Sequence, residues 1–127
     1  MERDLKKRSN KFAHNCVKLA LSLPKGVLEW HVQKQLIRAC TSVAANYRAA
    51  NLGQTKRGFI SKLSIVIEEA DECIFWIEFL EEENILKKGC YEEVLSEARE
   101  LTSIFVASRR TAQRSLDRLS DGDKNET

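Results

Sequence analysis

Residues 59–80 read FISKLSIVIEEADECIFWIEFL, and within them Phe59, Leu63, Val66, Ala70, Cys73, Ile77 and Leu80 recur at spacings of four and three. That alternation holds one apolar line on a single face of an α-helix, and Ile60, Ile67 and Ile74 widen it. A half-buried strand would instead repeat every second residue. Three further segments carry the helical signature. Leu5, Phe12, Cys16, Leu19 and Leu23 fall within about 60° of one another on a helical projection, with Lys7, Lys11 and Lys18 opposite. Leu36, Cys40, Val43 and Tyr47 form a stripe flanked by Ile37 and Ala44, and Val94, Ala98, Leu101, Phe105, Ser108, Ala112 and Leu119 form a fourth. Arg99, Arg110, Arg114 and Arg118 lie across the helix from that last stripe.

Turn chemistry separates the four segments. Leu23-Pro24-Lys25-Gly26 ends the first helix, because proline cannot continue the ladder and draws the residue before it out of the α region. The second helix starts between Val27 and His31 and ends near Leu52-Gly53. Thr55 caps the third, Asn84 closes it in a left-handed conformation with Ile85 folding back, and Lys87-Lys88-Gly89 turns into the fourth. The expected fold is all-α: an antiparallel up-down-up-down four-helix bundle over residues 1–119. The end of the chain, 120–127, reads SDGDKNET and is expected to be a disordered polar tail. At 127 residues, 43% hydrophobic and 31% charged, the chain fits one helical domain with its own core.

Composition removes several function classes. The charged start MERDLKKRSNKF has no signal-peptide core, and no run approaches the roughly 20 apolar residues needed to span a bilayer, so a cytoplasmic protein without membrane contact is expected. Cys16, Cys40, Cys73 and Cys90 are scattered with no CxxC pair, which reads as free thiols in a reducing compartment. The acidic run Glu68-Glu69-Ala70-Asp71-Glu72 invites comparison with di-metal bundles. Those need a Glu-x-x-His pair on each of two helices, and neither His14 nor His31 follows a core-facing glutamate by three. GQTKRG, residues 53–58, has phosphate-loop glycine spacing but follows a helix and lacks the required lysine and hydroxyl. No nucleophile, base and orienting group assemble, so no enzyme, metal or cofactor is expected.

Charge distribution points elsewhere. Residues 1–57 carry a balance of +9 and residues 58–127 one of −7, within a net charge of +2. Such a split fits an anionic partner for the first half or head-to-tail pairing of the halves. Lys56 and Arg57 occupy the first turn of the third helix, where the macrodipole makes each unfavourable by a few tenths to ~1 kcal/mol. With Arg48 across the turn they are candidate phosphate ligands; solvated side chains, or partners of an acidic neighbouring subunit, are the alternative. Arg38 is a less certain fourth: hairpin register sets it level with Glu69, and because it projects from the back of the second helix, an ion pair there suits a subunit contact better than the bundle interior and would give it a structural role. A second surface stands out as well. Ile65, Phe75, Trp76 and Phe79 lie off the main stripe of the third helix, and Thr41, Ser42, Ala45 and Ala49 make a small-residue face on the second. Together they form a candidate homo-oligomer interface, against a broad core or scattered exposed apolar groups.

Three stretches, SNKFAHNCVKLALSLPKG (9–26), QLIRACTSVAANYRAANLGQTKRGFISKL (35–63) and IVIEEADECIFWIEFL (65–80), resemble the small bacterial proteins called 23S ribosomal RNA intervening-sequence proteins. The resemblance covers about residues 9–118. Its most specific parts are Arg38 with Ser42-Val43-Ala44-Ala45-Asn46, the Arg48 that follows, Thr55-Lys56-Arg57 before Phe59, and the 68–72 acidic run with its aromatic sequel. It implies a left-handed antiparallel bundle assembling as a ring-like homopentamer. A fold-related branch, the accessory proteins of diversity-generating retroelements, implies nucleic-acid binding through basic surface residues and association with a reverse transcriptase. Carried onto this chain, those residues are Arg48, Lys56 and Arg57, with Arg38 less certain. Ala49 departs from the acid expected after the arginine, and Gly58 from a helix former, which weakens the helix start by ~1 kcal/mol against alanine. The function expected is a non-enzymatic oligomeric bundle binding RNA or DNA through phosphate contacts. A protein-protein scaffold or accessory subunit is the alternative.

Overall fold

A computed structural model describes the backbone of residues 2–52 and 55–126, and side chains for 5–52 and 55–122. Four helices follow one another: α1 (Glu2–Leu21), α2 (Val27–Ala50), α3 (Lys56–Glu82) and α4 (Glu92–Glu126). Cross-helix contacts fix their directions. The Cys40 thiol meets the Ala13 carbonyl at 3.5 Å and the Gln33 amide meets that of Ala20 at 2.9 Å, so numbers rise along α2 as they fall along α1. Arg38 reaches Glu69 while His31 meets Trp76 edge-on, which sets α2 antiparallel to α3. Lys56 with Ser115 and Arg99 with Glu78 do the same for α3 and α4. α1 and α4 touch least and close the ring, with Arg8 holding Glu97 at 2.7 Å.

The core is the set of stripes the periodicity draws. Leu36, Cys40 and Val43 from α2 and Leu63, Val66, Cys73, Ile77 and Leu80 from α3 have no exposed surface. Phe12, Cys16 and Leu19 of α1 and Leu95, Ala98, Leu101 and Phe105 of α4 complete it. Phe59 is only partly covered, being at the open start of α3. Cys16, Cys40 and Cys73 are buried free thiols, and Cys90 is an exposed one. Hydrogen bonding to Cys40 and Cys73, then burial, hold the Cys16 thiol far above its ordinary value, so it packs as a neutral apolar group.

The helix ends follow local chemistry. The Thr55 hydroxyl accepts from the Gly58 N–H at 3.1 Å and caps α3. Asn84 sits at φ 58, its N–H on the Glu81 carbonyl at 3.0 Å and that of Ile85 on Leu80 at 3.1 Å, the paired bonds of a Schellman ending. Gly53, expected just past the end of α2, lies outside the described residues. α4 differs from expectation. It continues past Leu119 to Glu126 with no break at Gly122, whereas the polar composition of residues 120–127 predicts a disordered tail; Thr127 lies outside the described residues. At 35 residues it is ~52 Å long and outruns its neighbours. Leu119, read as the last core position of α4, is therefore 60% exposed, because no helix remains to cover it. No helix among the described residues is long and apolar enough to cross a membrane.

Phe105→Ala removes a ring wholly out of water and stacked on Tyr47 at 5.3 Å. It is expected to cost about 3–5 kcal/mol in urea unfolding, whereas Leu119→Ala should stay within about 0.5 kcal/mol of the parent.

Candidate functional site

The connection between α2 and α3 brings three of the expected cations to one end of the bundle. Arg48 lies in the last turn of α2, where a positive charge complements the helix dipole, and its side chain is exposed. It stands at the mouth of a groove between α1 and α2 of about 930 Å³, floored by Ala13, Val17, Ala44 and Ala45 and edged by Lys6 and Lys7. Lys56 and Arg57 begin α3, whose first turn holds no acid. The Lys56 ammonium donates to the Ser115 hydroxyl at 2.5 Å, tying the start of α3 to the second half of α4, and Arg57 points to solvent. Thr55 already occupies the Gly58 N–H, so the cap takes one of the backbone donors that an anion would otherwise use.

Arg38 is placed differently. Its guanidinium forks across α2 and α3 to Glu69 at 2.7 Å and to Glu72, while its Nε donates to Gln35 at 3.3 Å. The pair lies within one chain and is a structural clamp. Burial pushes the Glu72 carboxyl up, but hydrogen bonds from Arg38 and from Trp76 Nε1 at 3.1 Å outweigh it and hold the carboxyl below its ordinary value.

The other arginines divide in the same way. Arg8 pairs with Glu97 at 2.7 Å and Glu100 at 3.4 Å, and Arg99 with Glu78 at 2.7 Å. Among the described residues no carboxylate stands within ion-pair distance of Arg48, Lys56 or Arg57, nor of Arg109, Arg110, Arg114 or Arg118 on α4. These α4 arginines escaped the sequence-based site. Their signal was present, since residues 106–118 hold four arginines against Asp117 alone. Only the fold shows that antiparallel packing sets them beside the start of α3, with Arg109 donating to Ser64 at 3.3 Å.

The candidate association surface is partly exposed. Ile65 is 40% and Phe75 51% accessible, and the Phe75 ring touches Trp76 at 4.9 Å and Phe79 at 5.9 Å. Trp76 leans toward α2 rather than outward, meeting His31 edge-on at 5.4 Å and packing on the core. On α2, Thr41 and Ala45 are exposed while Ser42 and Ala49 are half-buried. No group of three or more His, Cys, Asp or Glu residues among those described could hold a metal ion.

The family described as 23S rRNA-intervening sequence protein matches residues 1–107. A crystal structure of a protein of unknown function from the S23 ribosomal protein family of Bacteroides thetaiotaomicron is similar at 28% identity and a TM-score of 0.76, covering 86% of this chain and 97% of that one. No curated protein matches.

Removing one end of the Arg38 clamp should be measurable. In a double-mutant cycle, Arg38→Ala and Glu72→Gln should couple by about 0.5–1 kcal/mol, modest because the guanidinium is half exposed and screened. The Glu72 carboxyl is depressed in the fold, so its contribution is present above the unfolded value near 4.5 and is lost as pH falls through the lower folded value. The parent-minus-Glu72→Gln stability difference should therefore shrink in acid.

Proposed function

This chain belongs to the 23S rRNA-intervening sequence protein family, and we propose that it acts by binding rather than by catalysis, holding the phosphate backbone of RNA or DNA at the α2–α3 end of its bundle. The reading is carried by the division among the basic side chains. Arg8, Arg38 and Arg99 are neutralised by carboxylates, while Arg48, Lys56 and Arg57 have none among the described residues. Unpaired cations at one end attract a polyanion and release its counterions on contact. Binding of this kind is largely independent of sequence, because phosphate contacts position a nucleic acid without reading its bases. Arg38 is not among the ligands, since its fork is already occupied.

The acting species in this proposal is a homo-oligomer, a pentamer on the family resemblance, working in the cytoplasm. Support comes from Ile65 and Phe75, large apolar side chains left in water on α3, and from the small exposed Ala45 and Thr41 on α2. Three buried unpaired thiols accord with a reducing compartment. Accessory association with another protein, such as a reverse transcriptase, is the second reading. It is favoured by the same exposed aromatic edge at Phe75.

Fluorescence anisotropy with labelled RNA and DNA over a salt series tests the phosphate site. Parent affinity should fall steeply with salt, and R48A/K56A/R57A should flatten the logarithmic slope by about 2–3. Equal binding by the triple variant would remove these residues from the site. A parent that binds neither nucleic acid at low salt would leave the protein-partner reading. Independently, light scattering should give an oligomer for the parent and a smaller species for Ile65→Glu with Phe75→Glu; a monomeric parent rejects the assembly.

A further inference from the structure

We propose that Arg110, Arg114 and Arg118 on the free face of α4 form a ladder that follows successive phosphates of single-stranded nucleic acid, so that the ligand is a polymer lying along α4. The inference rests on the phosphate reading above and extends it to residues which that reading does not use. The three side chains are exposed, point away from the core and meet no carboxylate among the described residues. Steps of four residues set them ~6 Å apart along the axis and ~12 Å from first to last, a spacing that matches neighbouring phosphates on one strand. Like charges four apart on a helix repel, so the ladder weakens its own helix until anions meet it.

Their position sharpens the case. The family match ends at residue 107, and the ladder lies beyond it on the second half of α4. The Lys56 ammonium on Ser115 joins this stretch to the start of α3, making the turn cations and the ladder parts of one basic end. Thr111 and Gln113 beside the ladder are uncharged, and Asp117, three residues past Arg114, accepts from Gln113 at 3.0 Å. Guanidinium planes also stack on unpaired bases, which a duplex conceals.

The test compares the parent, R110Q/R114Q/R118Q and R110K/R114K/R118K on labelled twenty-nucleotide strands of uridine and of thymidine, with a duplex of equal length and polyglutamate as competitor. The glutamine variant should flatten the single-strand salt slope by about 2 and weaken binding by about tenfold or more, while the lysine variant keeps the slope. Equal uridine and thymidine affinities place recognition in the phosphates; a strong preference for either overturns a ladder that follows phosphates alone. An unchanged slope in the glutamine variant, with R48A/K56A/R57A still impaired, overturns the ladder and leaves the turn site standing. A larger ladder effect on duplex overturns the single-strand assignment, and displacement by polyglutamate at equal charge overturns nucleic acid as the occupant. A parent that binds no strand removes the phosphate reading and the ladder together.

Discussion

Everything in this bundle is arranged around the covering of one line of side chains on α3. Leu63, Val66, Cys73, Ile77 and Leu80 must leave water together, and α2 covers them with Leu36, Cys40 and Val43. Each such side chain contributes about 1.5–3 kcal/mol when removed from water, so the α2–α3 hairpin is the energetic base on which α1 and α4 pack. The Arg38 fork to Glu69 and Glu72 follows from that packing rather than causing it. Once α2 lies across α3 in the register the stripe demands, residue 38 faces two carboxylates one helical turn apart.

Register then decides which charges are neutralised. In the middle of the bundle and toward the α3–α4 turn, arginines meet glutamates on neighbouring helices. Toward the α2–α3 turn the two helices that form it lack acids: α3 has none before Glu68, and α2 none after Glu29. What looks in the sequence like a division between the two halves of the chain becomes, in the fold, a polarity along the bundle axis. The second half of α4 joins the basic end although it belongs to the acidic half of the chain.

The sequence conveys the fold well because its signals are local and repeated. The spacing from Phe59 to Leu80, the proline after Leu23, Thr55 as a cap and Asn84 as a left-handed stop each have a short-range cause, and the helices obey them. Two matters depended on long-range geometry. Leu119 continues the apolar pattern of α4, but whether a partner helix reaches that far depends on the relative lengths and offsets of all four. Arg38 and Arg48 look alike as basic residues on α2, and only the carboxylates of α3 distinguish a clamp from an open cation. Trp76 illustrates the same limit, since its projection angle places it off the stripe while its length lets it fold back over α2.

The overhang of α4 makes the molecule thermodynamically uneven. Beyond Phe105 no described residue of α4 is fully buried, and past Leu116 the described ones are exposed, so its last turns are held by their own backbone bonds and not by a core. An uncovered helical segment of this length sits near the helix–coil midpoint in water. Far-UV ellipticity will decline gradually on warming before the bundle melts cooperatively, and the early loss belongs to α4 alone. A polyanion bound there would shift that gradual phase without moving the main transition, so the overhang carries its own thermometer.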